Sequence, residues 1–452
     1  MSEISRRDFL GVASLSTMAA AGFQPEGRRN IAPTRIYTVL FGVAPSPDDT
    51  DLRPMTHEEI GRRLEKDCDG VEFIVRDLTR DAKLDPILNE ARDLKQLGYD
   101  GVIVYGWPRD YDLLRTGLPT INVAVVNDFQ NVPYPLFKQN RVVGAFLDPW
   151  RFSADPKISE QMFRDLIDKI KLIRMLKRMR SEHILTVTDS QWVNVLYGDV
   201  LKHPPARYNE MILGAIDETF GAKVTKISTK EIVEDKDIEN LWKNESPEAN
   251  AIAKRWIQAA EKMTYTTESE VVRSAKLYLA MKMLMSKYNA TAMTYHIRTL
   301  IRNPRPEDCV YPALAVSEFQ LHNTVAKCQS HLNIVLSEMM LQYAYGRPSM
   351  LGDYSVDPYH NVSCVQHCEG PWNPWGDDRR VPYILTDHRE RRIRARRTTG
   401  VGGASWVLYP PNEPVTMWQI EVLNKEVLVH TGTTVHMLTG PVKFRDHLWE
   451  MM

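Results

Sequence analysis

The sequence predicts an α/β protein with two doubly wound α/β domains followed by a β-rich C-terminal domain. Short apolar runs, such as GVIVYGW at 101–107, alternate with amphipathic stretches of helical period, as in parallel sheets covered by helices on both faces. After about residue 380 the composition becomes strand-like, with turn residues between the runs. A chain of 452 residues also exceeds what one hydrophobic core usually holds.

Residues 33–150 are predicted to form the first α/β domain. Its expected helices are THEEIGRRLEKDC and LDPILNEARDLKQLG, the second of which ends at a glycine. The expected strands are RIYTVLFGV, GVEFIVRDL, YDGVIVYGW, INVAVVND and RVVGAFLD. Strands separated by helices imply right-handed crossovers and a parallel sheet.

Residues 151–380 are predicted to form a second α/β domain that carries the site motifs. Its helices are read from SEQMFRDLIDKIKLIRMLKRM, YNEMILGAIDETFG and ESEVVRSAKLYLAMKMLMSKY, and its strands from HILTVTD and AKVTKIST. Residues 381–452 are predicted as the β-rich domain, from SWVLYPP, EPVTMWQIEVL and KEVLVHTGTTVHML.

The N-terminus resembles a twin-arginine export signal. Arg6 and Arg7 are followed by Phe9 and Leu10 and then by a weakly apolar, small-residue stretch. Residues 1–32 are therefore assigned to the signal, and the mature protein is expected in the periplasm or outside the cell. Five cysteines, an odd number, do not indicate a disulfide framework.

Charge and hydropathy exclude two classes of partner. The chain has 57 basic and 58 acidic residues and a net charge of −1, which argues against a general binder of nucleic acid or membrane surfaces. No apolar run approaches the roughly 20 residues that a membrane span needs. The expected partner is a small-molecule carbohydrate, for the reasons that follow.

Polar and metal-capable residues concentrate between positions 307 and 370. Several segments of this region and of the C-terminal part resemble the L-fucose/L-arabinose isomerase superfamily and occur in the same order. They are CVYPALAVSEF, VAKCQSHLNIVLSEMMLQYAYGRPSMLGD, VQHCEGP, EPVTMWQIE and TGTTVHMLTGPVKFRDHL. The resemblance implies a divalent metal, usually manganese, and aldose–ketose isomerisation through an enediol. It also implies a homo-oligomer, a trimer or hexamer, with sites between subunits.

The resemblance assigns site residues position by position. The family's metal-binding Glu falls on Gln329, its acidic second ligand on Asp353 and its "His-Cys" histidine on His367. Its last histidine falls on Thr434, with His436 two residues later. Gln329 offers a carbonyl oxygen but no negative charge, so the expected chemistry is altered at this position.

Two further residues are candidates to replace the lost groups. His331 stands where the family often has Asp, and Glu369 lies two residues beyond His367. A rebuilt metal site would use His331, Asp353, His367 and His436, and this imidazole-rich set would shift the preference towards zinc or iron. Asp353, Gln329 and Glu369 are the expected catalytic residues. A nucleophilic Cys328 is disfavoured, because no base is set beside it by spacing.

Substrate contacts are expected from two other groups. Trp372 and Trp375 lie in a Pro/Gly-rich loop and could stack on sugar faces, or plug a core. Arg392 and Arg394 fall in DHRERRIRARR and would recognise an acidic sugar, or form a solvated edge. The resulting hypothesis is an exported, metal-dependent isomerase-like enzyme. The alternatives are a non-catalytic carbohydrate-binding or structural relative without metal, and a lyase or epimerase on the same scaffold.

Overall fold

The structure, a computed structural model, describes most of the chain after residue 31. The described residues are 32–41, 57–78, 84–106, 111–125, 142–147, 156–195, 203–296, 310–357, 362–376, 378–387 and 402–435. The twin-arginine motif, Arg392, Arg394 and His436 lie outside these ranges. Helices and strands are numbered in chain order within them.

The strands fall into five groups. They are β1 Thr34–Phe41, β2 Val71–Leu78, β3 Gly101–Tyr105, β4 Thr120–Val125, β5 Val142–Leu147, β6 His183–Val187, β7 Lys223–Ile227, β8 Lys262–Met263, β9 Ala292–Tyr295, β10 Val325–Cys328, β11 Asp353–Asp357, β12 Val362–Gln366, β13 Tyr383–Asp387, β14 Gly403–Val407, β15 Pro414–Glu421 and β16 Glu426–Thr433.

The helices cover the sheets or connect them. They are α1 His57–Asp67, α2 Asp85–Arg92, α3 Pro156–Met179, α4 Pro205–Phe220, α5 Glu231–Glu234, α6 Lys236–Lys243, α7 Pro247–Ala259, α8 Glu268–Lys287, α9 Ala313–Leu321 and α10 Leu332–Tyr345, with a 3-10 turn at Tyr111–Leu114.

The first sheet is parallel and covered on both faces. Its strand order is β2-β1-β3-β4-β5. Ile36 and Leu40 of β1 pack on one face with residues of α1 and α3. Tyr37 and Val39 pack on the other face with α2 and the 3-10 turn. Because successive side chains of a strand alternate between faces, a nearly continuous apolar strand can fill both layers.

The second sheet repeats this arrangement. Its order is β10-β9-β6-β7, with all neighbouring pairs parallel. Leu185 and Val187 of β6 pack with α7, α8 and α9, whereas Ile184 packs with α4 and α10. The long helix α3 contributes Phe163 to the core of the first sheet and Met179 to that of the second.

The remaining strands form small sheets. β11 and β12 make an antiparallel ribbon, as do β15 and β16. β13 pairs with β14 in the antiparallel sense and with β8 in the parallel sense. The α/β class with parallel sheets is therefore confirmed. Among the described helices, none combines the length and apolar character needed to cross a bilayer.

Candidate functional site

The second sheet reverses its winding between β6 and β9. The chain passes from β6 to β7 on one side, and from β9 to β10 on the other. In open parallel sheets, ligands bind outside the carboxyl ends of the strands at such a switch point. The residues that follow β6, β9 and β10 are therefore the candidate ligand-binding residues of this sheet.

Two buried polar residues lie at this switch point. Thr188 follows β6 and His296 follows β9, and both are almost fully buried. The Oγ1 atom of Thr188 lies 3.4 Å from Nδ1 of His296. The backbone N–H of His296 donates to the carbonyl of Val187 at 2.8 Å, so the ends of β6 and β9 are joined at the site.

The junction between β10 and α10 has an unusual backbone. Gln329 and Ser330 have φ values of 76° and 49°, a left-handed conformation that costs non-glycine residues about 1–3 kcal/mol each and concentrates at functional sites. The Gln329 N–H donates to the Tyr295 carbonyl at 2.9 Å. The Ser330 hydroxyl donates to the Val187 carbonyl at 3.2 Å. The strand ends of the sheet therefore hold the strained pair in place.

A buried ion network lies directly behind this junction. Lys327 Nζ is 2.7 Å from a carboxylate oxygen of Glu338 and 3.6 Å from one of Glu369, and all three side chains are fully buried. The ammonium also donates to the Ser349 carbonyl at 2.6 Å. Burial lowers the pKa of Lys327 against the opposing effect of Glu369. Burial likewise raises the pKa of Glu369 against the effect of Lys327.

Two thiols and an imidazole meet beside the network. The Cys328 Sγ lies 3.5 Å from Nε2 and 3.8 Å from Nδ1 of His367, and the Cys368 Sγ lies 3.5 Å from the same Nδ1. Burial raises the pKa of the Cys328 thiol well above its usual range. Burial alone lowers the pKa of His367, but the negative charges of Cys368 and Glu369 outweigh it and raise that pKa to about 9.

The structure brings three of the predicted site residues together. A side-chain nitrogen of Gln329 lies 3.1 Å from Nε2 of His367. A carboxylate oxygen of Glu369 accepts from the Cys328 N–H at 3.2 Å. The segments around 329 and 367 therefore do meet at one place, as their expected roles required.

The other predicted metal ligands are placed differently. Asp353 begins β11 and is exposed, although its charge contributes to the raised pKa of His367. His331 is buried ahead of α10, and that burial lowers its pKa to about 4. Among the described residues, the His, Cys and acidic side chains close enough to share a metal ion are Cys328, His367 and Cys368.

The two tryptophans have distinct surroundings. Trp372 is 2 % exposed and stacks on Tyr383 at 4.6 Å between ring centroids, with Trp256 against its edge. Trp375 is half-buried, and the guanidinium of Arg379 lies 4.8 Å from its ring centroid. Trp372 therefore packs the core, while Trp375 lies closer to solvent.

Sequence reasoning missed four residues of this region. Thr188, His296 and Lys327 were not singled out, and Cys368 was not paired with Cys328. The available signals were a lysine inside the apolar strand VAKC and the adjacent His-Cys of VQHCEG. Neither signal shows which distant segment of the chain contacts the lysine or the His-Cys pair. The contacting residues are about 40 positions apart in the sequence; Cys328 and Glu369, for example, are separated by 41.

Comparison with known proteins gives no family for this chain. No family model matches it, and no curated protein matches it. Similar solved structures include a transporter solute-binding protein from Agrobacterium vitis with bound D-fucose, at 10% identity, covering 60% of this chain and 80% of that one, with a TM-score of 0.16. Another, from Actinobacillus succinogenes with D-allose, has 9% identity, 74% and 97% coverage and a TM-score of 0.16.

A third similar structure is a solute-binding protein from Bacillus halodurans with bound myo-inositol. It has 12% identity, 70% and 91% coverage and a TM-score of 0.17. TM-scores this low carry neither a fold nor a ligand over to this chain.

The resemblance to the L-fucose/L-arabinose isomerase superfamily is therefore wrong. No family model and no curated protein matches the chain, so the expected isomerase activity and its manganese-binding character are corrected as well. The site gives a physical reason. The carboxylate expected to replace the lost base, Glu369, is buried against Lys327, and Gln329 cannot accept a proton in its place.

Proposed function

We propose that this chain is a non-catalytic protein that binds a small carbohydrate at the carboxyl edge of its second sheet. The observation that carries the proposal is the set of hydrogen-bonding residues at the switch point: Thr188, His296 and Gln329 directly follow three neighbouring strands. Sugars are neutral polyols, which such groups recognise through their hydroxyls.

The charges nearby support binding over proton transfer. Glu338 and Glu369 both lie against Lys327, so neither carboxylate is free to shuttle a proton from a sugar carbon. The strained backbone at Gln329 and Ser330 is held by hydrogen bonds to the ends of β9 and β6. A preformed site of this kind lowers the ordering cost of binding.

Calorimetric titration of the full chain tests the proposal. D-fucose, D-allose and myo-inositol, the ligands of the similar structures, form a reasonable first panel. Saturable binding of a panel member without chemical change is the expected result. Absence of binding across a broad sugar panel, or conversion of an aldose into its ketose, contradicts it.

A matched pair of variants locates the site. Thr188→Val removes one hydroxyl at the switch point and is expected to weaken binding by about 0.5–1.5 kcal/mol, up to roughly tenfold in Kd. Thr186→Val, two residues earlier in buried β6, removes a hydrogen bond of the same 3.4 Å length, to the Val193 carbonyl, and is expected to leave Kd unchanged. Equal effects of the two changes would place the ligand elsewhere.

Export through the twin-arginine route is proposed from Arg6 and Arg7 alone. Fractionation of cells that express the full chain should place the protein in the periplasm or the medium. Arg6→Lys combined with Arg7→Lys should retain it in the cytoplasm. Export that survives the double change removes support for this route.

The finer organisation is also a proposal. Residues 33–150, 151–380 and 381–452 are proposed as three domains, and the chain as a homo-oligomer. Limited proteolysis should cut first near residues 150 and 380. Light scattering should give a mass above that of one chain.

A further inference from the structure

Cys328, His367 and Cys368 form a compact group beside Gln329 of the proposed sugar site, and none of the three is assigned to sugar binding. Cys328 ends β10 and is fully buried, whereas His367 and Cys368 follow β12 and are half-buried. One ligand atom from each residue lies within 4.8 Å of the other two. The group is therefore built from two strands of different sheets, with one side towards solvent.

The two sulfur–nitrogen distances are close to those between ligands of a tetrahedral zinc ion. Zinc lies about 2.3 Å from a thiolate sulfur and about 2.0–2.1 Å from an imidazole nitrogen, so tetrahedral angles put sulfur and nitrogen about 3.5 Å apart. Nδ1 of His367 lies 3.8 Å from the Cys328 sulfur and 3.5 Å from the Cys368 sulfur. Small side-chain adjustments would suffice to close the site around an ion.

Gln329 is placed to orient the imidazole. Its side-chain amide lies 3.1 Å from Nε2 of His367, the nitrogen left over when Nδ1 binds a metal. That nitrogen then carries the proton and needs an acceptor, which the Gln329 carbonyl oxygen supplies after rotation of the amide. Metal-binding histidines usually have such a partner on the second nitrogen.

The charges of the site and its surroundings are compatible with a bound divalent cation. Two thiolates and one Zn²⁺ sum to zero, which suits a site with a fully buried sulfur. Beside the site, Lys327 is engaged by Glu338 and Glu369. Nothing among these groups opposes a cation with an unbalanced positive charge.

We propose that Cys328, His367 and Cys368 bind one zinc ion, with the fourth position open to water or a ligand oxygen. Two thiolates and an imidazole favour zinc over manganese or magnesium, which prefer oxygen ligands. Binding replaces the two thiol protons, which pass to solvent, and no redox partner is required. The proposal does not depend on sugar binding at the switch point.

Metal titration of the full chain tests the site directly. The protein is reduced, stripped with a chelator and titrated with Co²⁺, whose tetrahedral thiolate complexes absorb strongly through sulfur-to-metal charge transfer. One equivalent of Co²⁺ should produce this absorption, and one equivalent of Zn²⁺ should abolish it. Absence of charge-transfer absorption, or of one equivalent of bound zinc by elemental analysis, overturns the proposal.

Variants distinguish these ligands from other thiols. His367→Ala and Cys368→Ser should lower zinc affinity by more than about 100-fold, and Gln329→Leu, which removes only the orienting partner, by about 10- to 100-fold. Cys68→Ser, at a buried thiol in the core of the first sheet, should bind zinc as the unaltered chain does. If Cys68→Ser alone lost the metal, the assignment would be wrong.

Two of these changes keep the test decisive if a variant misfolds. Cys368 and His367 are half-buried, so they avoid the packing penalty expected at Cys328. Circular dichroism confirms folding before each titration. A folded His367→Ala that retains the affinity and the charge-transfer band of the unaltered chain refutes the site, whether or not the protein binds sugars.

Discussion

Replacing Lys327 by methionine should destabilise the protein severely. The substitution keeps the length of the aliphatic stem but removes the cation from a site where two carboxylates approach it at 2.7 and 3.6 Å. At an effective dielectric constant of about 20, these separations correspond to Coulomb energies of about 6 and about 5 kcal/mol. The desolvation of three buried charges offsets much of this attraction in the intact network.

The net cost follows from the charges left behind. In Lys327→Met, Glu338 and Glu369 remain buried without a cation, and removing one partner of a buried pair typically costs about 3–5 kcal/mol. Domains are stable by only about 5–15 kcal/mol, so this loss is a large fraction of the total. Urea denaturation at neutral pH, followed by circular dichroism, measures it.

The loss should depend on pH in a defined direction. The pKa of Glu369 is already raised in the folded protein by burial, and removing Lys327 raises it further. A carboxyl group with a raised folded pKa stabilises the fold below its unfolded pKa, about 4.3, and this contribution is lost as the pH rises through the folded value. The difference between variant and unaltered chain should therefore be largest at neutral pH and shrink in acid.

An exposed ion pair provides the control. Lys425 lies 3.0 Å from Glu218, with both side chains about two-thirds exposed, and Lys425→Met should change stability by less than about 1 kcal/mol. If Lys327→Met cost no more than this control, or if its cost did not vary with pH, the buried network would not contribute as argued. Adding Glu369→Gln to Lys327→Met should restore part of the loss.

Three further predictions concern packing, backbone and charge. Trp372→Ala should lower the free energy of unfolding, measured by urea denaturation, by about 3–5 kcal/mol because it opens a core cavity. Trp375→Ala should lower it by about 1 kcal/mol, because that ring is half-buried and loses mainly its contact with Arg379. Equal losses in the two variants would contradict this prediction. Gly376→Ala should lower the melting temperature more than Gly70→Ala does. Both glycines have positive φ, but only at position 376 would the added Cβ lie 1.8 Å from a backbone carbonyl oxygen, which belongs to Gly346. The pKa of Glu318 is lowered because its hydrogen bonds and the neighbouring guanidinium outweigh the effect of burial. Glu318→Gln should therefore destabilise the fold at neutral pH, and the difference in unfolding free energy between variant and unaltered chain should vanish as the pH falls through that lowered pKa. A difference that persists in strong acid would refute this prediction.

The coarse fold could be predicted from the sequence because its signals are local. The apolar run VLF in β1 and the run GVIVY of β3 read as buried parallel strands, and α3 and α8 read as helices from their spacing. These patterns reflect which backbone period places apolar groups on one face or on both. They need no knowledge of which segments are neighbours.

The isomerase hypothesis failed for the complementary reason. The motif order was compatible with that family, and the segments around Gln329 and His367 do meet in space. The order of the motifs does not predict which residue each charged side chain contacts. The strand lysine of VAKC meets Glu369, so the carboxylate expected to act as a base instead completes a buried ion network.

By itself, the sequence determined the α/β class, the parallel strands and a concentration of polar residues between 307 and 370. Only the tertiary structure decided which of those residues touch. It placed Thr188 beside His296 at a strand switch point, 108 positions apart in the chain, and it brought Cys328 to His367 and Cys368. Periodicity is set by the local backbone, but side-chain chemistry depends on distances between remote segments, which sheet order and strand register alone establish.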